Sequence, residues 1–302
     1  MRSWIFLFSC NLMWALQFTC IKLVQDQVGP MFTVWGPMLL ATLLLIPILR
    51  AERRAGPPAR RAGRKDVWMF LALGALGVFP GQVLITWGTR RSLASNGALI
   101  QLTLPVTTAV LAYLFLGERM TRVRWLSFAV AIGGVVMCSG LDFHSMDFGA
   151  SYLVGNTLIF CAALGSSFYN SYGKKALERY SPMEMLFYSY VVTLALMTPV
   201  VLLEERDVFA RIPHFTANTW IGMALLTVFH NFLSMVLFLK ALQKLDAMQA
   251  ALSNYLITFF GVPIAAIWLG ERLNSQMVLG GVLVLASTLL ITLWDERRAA
   301  PA

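Results

Sequence analysis

Apolar blocks of about twenty residues follow one another along almost the whole chain, and no other feature constrains its fold as strongly. A block of this length predicts a helix that crosses a lipid bilayer. Apolar residues make up 58% of the 302 residues and charged residues only 13%, which is too few charges for a water-soluble surface. The sequence therefore predicts an all-α polytopic membrane protein with ten transmembrane helices, at about 4–24, 31–49, 67–87, 94–116, 123–140, 151–173, 183–203, 218–239, 247–269 and 276–294.

The first block begins like a signal peptide, because Arg2 precedes an apolar run. It lacks a small-residue cleavage pattern and contains Asn11, Trp14, Gln17 and Lys22, so we expect a retained helix. All four cysteines lie inside apolar blocks, which favours a packing role over a disulfide or a zinc site. They are Cys10, Cys20, Cys138 and Cys161.

The net charge is +9, and the positions of the basic residues indicate membrane topology rather than a nucleic-acid site. With ten crossings and a cytoplasmic N-terminus, most of the 24 basic residues fall on the cytoplasmic side, as the positive-inside rule requires. The stretch 50–66 is the densest of these segments, and binding of anionic lipid headgroups is a second interpretation of it. We expect a multi-pass protein of the cytoplasmic membrane, with both termini in the cytoplasm, lipid as a partner and no nucleic acid.

The stretch LFLGERMT at 114–121 returns as IWLGERLN at 267–274. Four other residues recur at nearly the same spacing: Lys22, Pro30, Pro47 and Trp68 match Lys174, Pro182, Pro199 and Trp220. The predicted halves, 1–145 and 146–302, would each hold five crossings, so the second half enters the membrane from the opposite side. Inverted repeats of this kind are typical of secondary transporters that bind substrate near the midplane.

The chain resembles the EamA-type branch of the drug/metabolite transporter superfamily over nearly its whole length. The resemblance rests on Trp14, Phe18 and Lys22 in the first helix, on Leu104-Pro105, and on the two Leu-Gly-Glu-Arg turns. The stretch LGSSFYNSYGKKAL at 164–177 is similar to the opening helix of the family's second repeat. The resemblance implies ten helices in two inverted five-helix repeats, and the export of amino acids, including aromatic ones, or of related metabolites.

Every acidic residue lies in a predicted loop or near a helix end, so the sequence indicates neither an intramembrane aspartyl protease nor a carboxylate proton relay. The signatures of metalloproteases, serine hydrolases and nucleotide-binding P-loops are absent from the sequence. We therefore expect a protein that is not an enzyme, binds no metal or cofactor, and does not use ATP directly.

His230 is the one titratable residue that the pattern places near mid-membrane, with polar Asn231 and Ser234 beside it. His230 and Ser234 are four residues apart, so they share one helix face. Two interpretations stay open. The histidine is either hydrogen-bonded to a neighbouring helix, or it lines a cavity and binds substrate or a proton.

Polar residues concentrate in predicted helices one, three, four, six, eight and nine, which favours these as cavity-lining helices and the other four as lipid-facing scaffold. The candidate substrate-binding residues outside helix eight are Trp14, Gln17, Gln82, Trp87, Asn96, Gln101, Tyr169, Asn170, Asn254 and Tyr255. For each of them, a role in holding helices together is the alternative.

Lys22 and Lys174 end predicted helices one and six, where anchoring at the membrane interface and gating are both open. Gly117-Glu118-Arg119 and Gly270-Glu271-Arg272 are predicted turns between helices. Each glycine can take the left-handed conformation that ends a helix, and each glutamate should lie near the start of the next helix, where the dipole favours its charge. The repeat predicts the first turn in the cytoplasm and the second outside.

Without a buried carboxylate to balance a permanent cation, the residues favour a small neutral or zwitterionic substrate with an apolar part. The leading interpretation is a secondary transporter that exports an amino-acid-like molecule by alternating access. A lipid flippase or multidrug efflux protein, and a membrane receptor or scaffold, are the alternatives. The residues leave open the substrate, the direction of net flux, proton coupling and the oligomeric state, a homodimer included.

Overall fold

A computed structural model describes residues 2–55, 63–89, 91, 100, 103–138, 152–257, 259–260, 263–264 and 275–299. The helices are labelled in chain order: α1 Arg2–Val24, α2 Pro30–Ala55, α3 Arg64–Gly88, α4 Leu104–Leu116, α5 Arg122–Cys138, α6 Leu153–Ala176, α7 Pro182–Glu204, α8 Ala217–Leu242, α9 Ala247–Ser253 and α10 Ser275–Ala299. Two short helical turns, Val208–Arg211 and Ile212–His214, join α7 to α8. The described part of the chain has no β-strand, which confirms the all-α class there.

Four helices of the described residues, α2, α3, α7 and α8, are long and apolar enough to cross a membrane. Large apolar side chains stand exposed around the outside of the molecule, among them Leu44, Trp125 and Leu203. Water would penalise such a surface, whereas lipid tails accept it. These features describe a multi-pass membrane protein.

The second helix is longer than its apolar block. The block ends near residue 49, but α2 continues through Arg50, Arg53 and Arg54 to Ala55. Arg53 donates a hydrogen bond to the Tyr188 hydroxyl and forms a 3.4 Å ion pair with Glu184, both on α7. The helix therefore extends past the predicted block, because arginine and alanine continue a helix readily beyond the apolar stretch.

Local capping explains where α7 and α8 begin. Ser181 precedes Pro182, and its hydroxyl accepts the backbone N–H of Glu184 at 3.1 Å. Thr216 acts in the same way for α8, accepting the N–H of Thr219 at 3.3 Å. A capping oxygen satisfies donors that the first turn of a helix leaves unpaired, and proline at the first position removes one such donor.

Buried apolar side chains form two cores at different depths. The first core joins the start of α1, the end of α2, the start of α7 and the end of α8; the second joins the opposite ends of the same helices. Representative members are Leu7, Leu45, Leu186 and Leu239 in the first core, and Val24, Met31, Val201 and Met223 in the second. Neighbouring helices therefore run in opposite directions. We call the two ends of the molecule the Lys174 end, beside the first core, and the Glu205 end, beside the second.

The most extensive helix pairs are α1 with α8, α3 with α6 and α5 with α10, followed by α4 with α6 and α2 with α7. Glycines allow two of these pairs to approach closely. A Cβ at Gly88 of α3 would come within 2.6 Å of Ile159 of α6, and one at Gly222 of α8 would come within 2.6 Å of Val24 of α1. Small residues at such contacts are the usual means of helix association in membranes.

Both α3 and α8 contain π-helical segments. They are Leu73–Val78 and Pro80–Leu84 in α3, and Leu226–Leu233 in α8. Each set lies where its helix passes from one core to the other. Short π-helical stretches inside α-helices are frequent at functional sites, so this depth is the first place to look for one.

The turn after α4 agrees with the sequence expectation. Gly117 has φ 70° and ψ 13° at the C-terminal cap of the helix, and it has the single positive φ among the described residues. Its N–H bonds back to the carbonyl of Tyr113 at 3.0 Å. The left-handed glycine thus ends α4 and redirects the chain toward α5.

Gly117→Ala should lower the free energy of unfolding by about 1–2 kcal/mol, because a Cβ disfavours the left-handed conformation. A Cβ there meets nothing within 4 Å, so backbone strain alone causes the loss. Gly133→Ala is the matched control, since its Cβ also meets nothing and its helical backbone favours alanine by up to about 1 kcal/mol. Unfolding of the purified protein in detergent measures both variants, and equal effects would contradict the assignment of strain to Gly117.

Candidate functional site

A band of buried and partly buried polar side chains lies between the two cores. It occupies the interior of α1, α7, α8 and α9 and the C-terminal cap of α9, and we call it the polar seam. Its buried members are Asn11, Ser189, Thr193, Thr227, His230, Asn231, Ser234 and Ser253, and its partly buried members are Trp14 and Asn254.

His230 lies within the π-helical part of α8, and 8% of its surface is exposed. Its ring makes no hydrogen bond to any described residue, and Nδ1 is buried without a partner. The Ser234 hydroxyl donates to the backbone oxygen of His230 and not to the ring. The predicted proximity of these two residues is present, but the serine does not satisfy the imidazole.

Asn231 stabilises the π-helical turn. Its Nδ2 donates to the carbonyl of Leu226 at 3.0 Å, and its backbone oxygen accepts the Tyr190 hydroxyl at 2.8 Å. Leu226 lies five residues before Asn231, so this side-chain bond runs beside the backbone bonds of the π-helix, which have the same spacing. In the described structure, Asn231 therefore holds α8 in shape and attaches it to α7.

Helix α1 packs against both α8 and α9. The Trp14 ring lies against Phe238 of α8 with 5.2 Å between ring centroids, and Asn11 Nδ2 donates to Ser253 Oγ of α9 at 3.1 Å. Trp14 Nε1, Asn11 Oδ1 and Asn254 Oδ1 are nevertheless buried and have no hydrogen-bond partner among the described residues. Together with His230 Nδ1 they lie on α1, on α8 and at the C-terminal cap of α9, which are adjoining helices. Buried polar atoms are nearly always paired, so these atoms mark a candidate ligand site.

Three other predicted residues also lie in the interior. The Tyr169 hydroxyl is 3.4 Å from Ser189 Oγ, and Asn170 is buried next to it in sequence. The Tyr255 ring lies 6.3 Å from that of Phe128, measured between centroids. These contacts join α6 to α7 and α9 to α5, so the helix-holding interpretation and the binding interpretation both stay open for these residues.

The remaining predicted residues are either described outside the seam or lie beyond the described part of the chain. Gln17 and Gln82 are partly buried on α1 and α3. Trp87 packs against the second core and lines a separate cavity at the Glu205 end. Asn96, Gln101, Gly270, Glu271 and Arg272 lie outside the described residues, and Lys22 belongs to α1 but its side chain is not described.

Glu118 caps a helix, but not the helix expected from the sequence. Its carboxylate accepts the N–H groups of Ala247 at 3.0 Å and Met248 at 3.2 Å, at the start of α9. The start of α5 already has an acceptor, because Thr121 Oγ accepts the Arg124 N–H at 3.3 Å. Burial raises the pKa of the Glu118 carboxyl above its ordinary value, and the two backbone donors oppose that rise.

Lys174 and Arg124 complete this connection between helix ends. Lys174 Nζ donates to carbonyl oxygens at the end of α8, with Leu242 at 3.2 Å, and so it is not directed only at the membrane interface. Arg124 is buried on α5 and forms an ion pair with Asp246, the N-cap residue of α9. We call Glu118, Arg124, Lys174 and Asp246 the Lys174 cluster. Sequence reasoning missed the Arg124–Asp246 pair. The two residues are far apart in the chain, and nothing in the sequence around either one indicates that they pair.

A second glutamate missed by the sequence reasoning closes the opposite end. The Glu205 carboxylate accepts the N–H groups of Met31 and Phe32 at 2.9 Å each, at the start of α2. Gly29 leaves room for it, since a Cβ there would lie 2.3 Å from the carboxylate. Each end of the bundle is therefore fastened by a carboxylate on the first turn of a distant helix.

A sequence model of the EamA-like transporter family matches residues 1–140 and, separately, residues 153–293. The chain belongs to this family. The match confirms the resemblance seen in the two Leu-Gly-Glu-Arg turns, and it makes the protein a transporter of the EamA-like family.

Relatives of this EamA-like transporter include proteins with named substrates. A probable terminal-alkyne amino-acid exporter of Streptantibioticus cattleyicolor is 28% identical over 291 residues, covering 95% of this chain and 93% of that protein. An S-adenosylmethionine uptake transporter of Rickettsia conorii is 27% identical over 229 residues, covering 75% of this chain and 72% of that protein. A solved crystal structure shares the fold with a TM-score of 0.81 at 14% identity, covering 99% of each chain.

Proposed function

We propose that this EamA-like transporter exports a small neutral or zwitterionic molecule, amino-acid-like and with an apolar part, across the cytoplasmic membrane by alternating access. One observation carries the proposal: Trp14 Nε1 on α1, His230 Nδ1 on α8 and Asn254 Oδ1 at the C-terminal cap of α9 are buried and have no partner among the described residues. A bound substrate would supply the missing partners. Without one, each unpaired group costs about 1–3 kcal/mol.

The unpaired atoms favour a ligand that both donates and accepts. Trp14 Nε1 can only donate, Asn254 Oδ1 can only accept, and a neutral imidazole can do either. A zwitterion offers a carboxylate to the donors and an ammonium to the acceptors. No carboxylate lies among the described residues of the polar seam, so a permanent cation would lack a counter-charge. The relative named as an amino-acid exporter supports the same substrate class.

We further propose that residues 1–145 and 146–302 are inverted repeats of five transmembrane helices each. The helix pairs support this: α1–α8 and α3–α6 exchange under the repeat, while α2–α7 and α5–α10 each join a helix to its own counterpart. The π-helical segments of α3 and α8 occupy matching positions in the two halves. The two separate matches to the family model are also in accord with this division.

In this proposal the Lys174 end faces the cytoplasm, because the arginine- and lysine-rich ends of α2, α6 and α8 lie there. The Lys174 cluster then holds the cytoplasmic end closed. Opening that end requires Lys174 to leave the end of α8 and Glu118 to leave the start of α9. Lys22 is the repeat counterpart of Lys174, and we assign it the corresponding gating role at the outer end.

Efflux from proteoliposomes tests the proposal. Vesicles that contain the purified protein should release trapped radiolabelled L-phenylalanine faster than protein-free vesicles, and excess unlabelled substrate should slow the release. A panel of amino acids, nucleosides and amphipathic drugs then defines the substrate class. Failure to move any amino acid would overturn the proposal, and movement of a fluorescent phospholipid between leaflets instead would favour a flippase.

A further inference from the structure

A cavity of about 350 Å³ opens at the Glu205 end, apart from the polar seam. It lies between the end of α3, the start of α6 and the end of α7. Its lining residues are Trp87, Arg91, Val154, Leu158 and Glu204. A volume of this order is enough for one small ligand.

Two opposite charges line this cavity. Arg91 lies four residues beyond Trp87, and its Nη1 donates to the Trp87 carbonyl at 3.4 Å. Within the described residues, neither Arg91 nor Glu204 forms an ion pair. The neighbouring Glu205 is occupied by the N–H groups of α2, so Glu204 alone of the two presents its carboxylate to the cavity.

The remaining walls are apolar or aromatic. Trp87 is partly buried against the second core, while Val154 and Leu158 are one turn apart on α6. An aromatic face beside these side chains suits an apolar group, and the indole can also attract a nearby ammonium. The cavity thus offers a cation, an anion and an apolar surface within the space of one small molecule.

We propose that this cavity is an outer binding site for zwitterionic α-amino acids with an apolar side chain. Arg91 binds the carboxylate, for which its planar fork of donors is suited, and Glu204 binds the ammonium. Trp87, Val154 and Leu158 contact the side chain of the ligand. A ligand with a single charge would pair with only one of the two charged side chains. Arg91 and Glu204 together therefore select the zwitterion over its singly charged analogues.

The inference rests on the proposed function, because it places this site on the releasing side of an exporter. Gln82 and Trp87 are on the same helix, so α3 connects the level of the seam with the cavity. The site deepens the proposed function by naming the substrate class from charges that sequence reasoning did not consider. Of its residues, only Trp87 was predicted, and it was predicted as part of the central site.

Binding to the full-length protein in nanodiscs of neutral phospholipid tests the site, with three matched probes measured by equilibrium dialysis. L-phenylalanine carries both charges, phenethylamine lacks the carboxylate, and 3-phenylpropionate lacks the ammonium. Arg91→Gln and Glu204→Gln should each weaken L-phenylalanine binding about tenfold, the effect of one charge-assisted hydrogen bond. Phenethylamine should respond only to Glu204→Gln, and 3-phenylpropionate only to Arg91→Gln.

Two further variants separate recognition from a general effect of surface charge. Arg206→Gln is the matched control, since Arg206 is 81% exposed and its one ion pair among the described residues, a 4.0 Å contact with Asp207, lies outside the cavity. It should leave binding of all three probes unchanged. Arg91→Glu alone should remove the L-phenylalanine binding that this cavity contributes. The double exchange Arg91→Glu with Glu204→Arg should recover it, because the two charges are again complementary.

The outcomes distinguish this site from the proposed function. Unchanged L-phenylalanine binding in Arg91→Gln and Glu204→Gln overturns the outer site, even where proteoliposomes still export the amino acid. Equal responses of both analogues to both variants also overturn it. Binding that follows the expected pattern without any transport supports the site and removes the exporter, and absence of both binding and transport by the unaltered protein overturns both.

Discussion

His230→Leu should lower the rate of substrate transport about tenfold or more while leaving the melting temperature near that of the unaltered protein. The tenfold loss corresponds to one hydrogen bond between substrate and a buried partner. The fold should tolerate the change, because the imidazole makes no hydrogen bond to a described residue and leucine fills a similar volume. Efflux from proteoliposomes and thermal unfolding measure the two quantities on the same preparation.

Thr42→Val is the matched control for this experiment. Thr42 is buried on α2, outside the polar seam, and its hydroxyl donates to the Met38 carbonyl of the same helix at 2.7 Å. Its removal should change transport little. Unaltered transport in His230→Leu would show that the histidine is a packing residue, and a large fall in melting temperature would show that it holds helices together.

Variants of the same histidine also test whether transport is coupled to the movement of protons. If His230 carries a proton during transport, efflux by the unaltered protein should respond to an imposed pH gradient and efflux by His230→Leu should not. A flat response in the unaltered protein removes the proton hypothesis. Loss of rate in His230→Leu without any pH response would leave substrate binding as the role of the residue.

The fold class and most helix positions follow from the sequence because they depend on local quantities. Apolar block length determines which segments can cross a bilayer, and a glycine after an apolar run predicts the left-handed cap seen at Gly117. The extension of α2 was missed because hydropathy shows only where the apolar stretch ends. It does not show that the helix continues through the arginine residues that follow. Bilayer-scale patterning thus identifies helices more reliably than it identifies their ends.

The polar seam was only partly predictable. Residue type and approximate depth singled out Trp14, His230 and Asn254, and all three have unpaired buried atoms. Trp87 was predicted in the same site, but it lines the cavity at the Glu205 end. It lies near the end of its apolar block, where the hydropathy pattern does not give a precise depth. The π-helical turn that positions His230 has no signature in the residue pattern, since its hydrogen bonds depend on tertiary packing.

Long-range electrostatic contacts were the least predictable part. Glu118 was expected at the start of the next helix, yet it binds the start of α9, which reaches it only through the tertiary fold. The same holds for Glu205 at α2 and for Asp246 at Arg124. A charge near a helix end predicts that it will meet a helix dipole, but the sequence does not tell which helix supplies it.

Asp246→Ala should lower the free energy of unfolding by about 2–4 kcal/mol. This is the largest loss of stability that we predict for a single substitution. The change removes the N-cap of α9 and leaves the Arg124 guanidinium, whose side chain is 8% exposed, without its carboxylate. Asp207→Ala is the matched control, because Asp207 is 88% exposed and its contact with Arg206 spans 4.0 Å. Its removal should change stability by no more than about 0.5 kcal/mol.

A thiol-labelling readout separates a gate from a purely structural tie. Cys10 is buried in the first core, beside the Lys174 end, and Cys20 is buried in the second. In a background with Cys138→Ser and Cys161→Ser, Asp246→Ala should raise the maleimide reaction rate of Cys10 several-fold and leave that of Cys20 unchanged. Adding Arg124→Leu should restore much of the lost stability, since the guanidinium that lost the Asp246 carboxylate is then removed as well. Lower stability with Cys10 still protected would mean that the Lys174 cluster fastens helices together but does not control access to the seam.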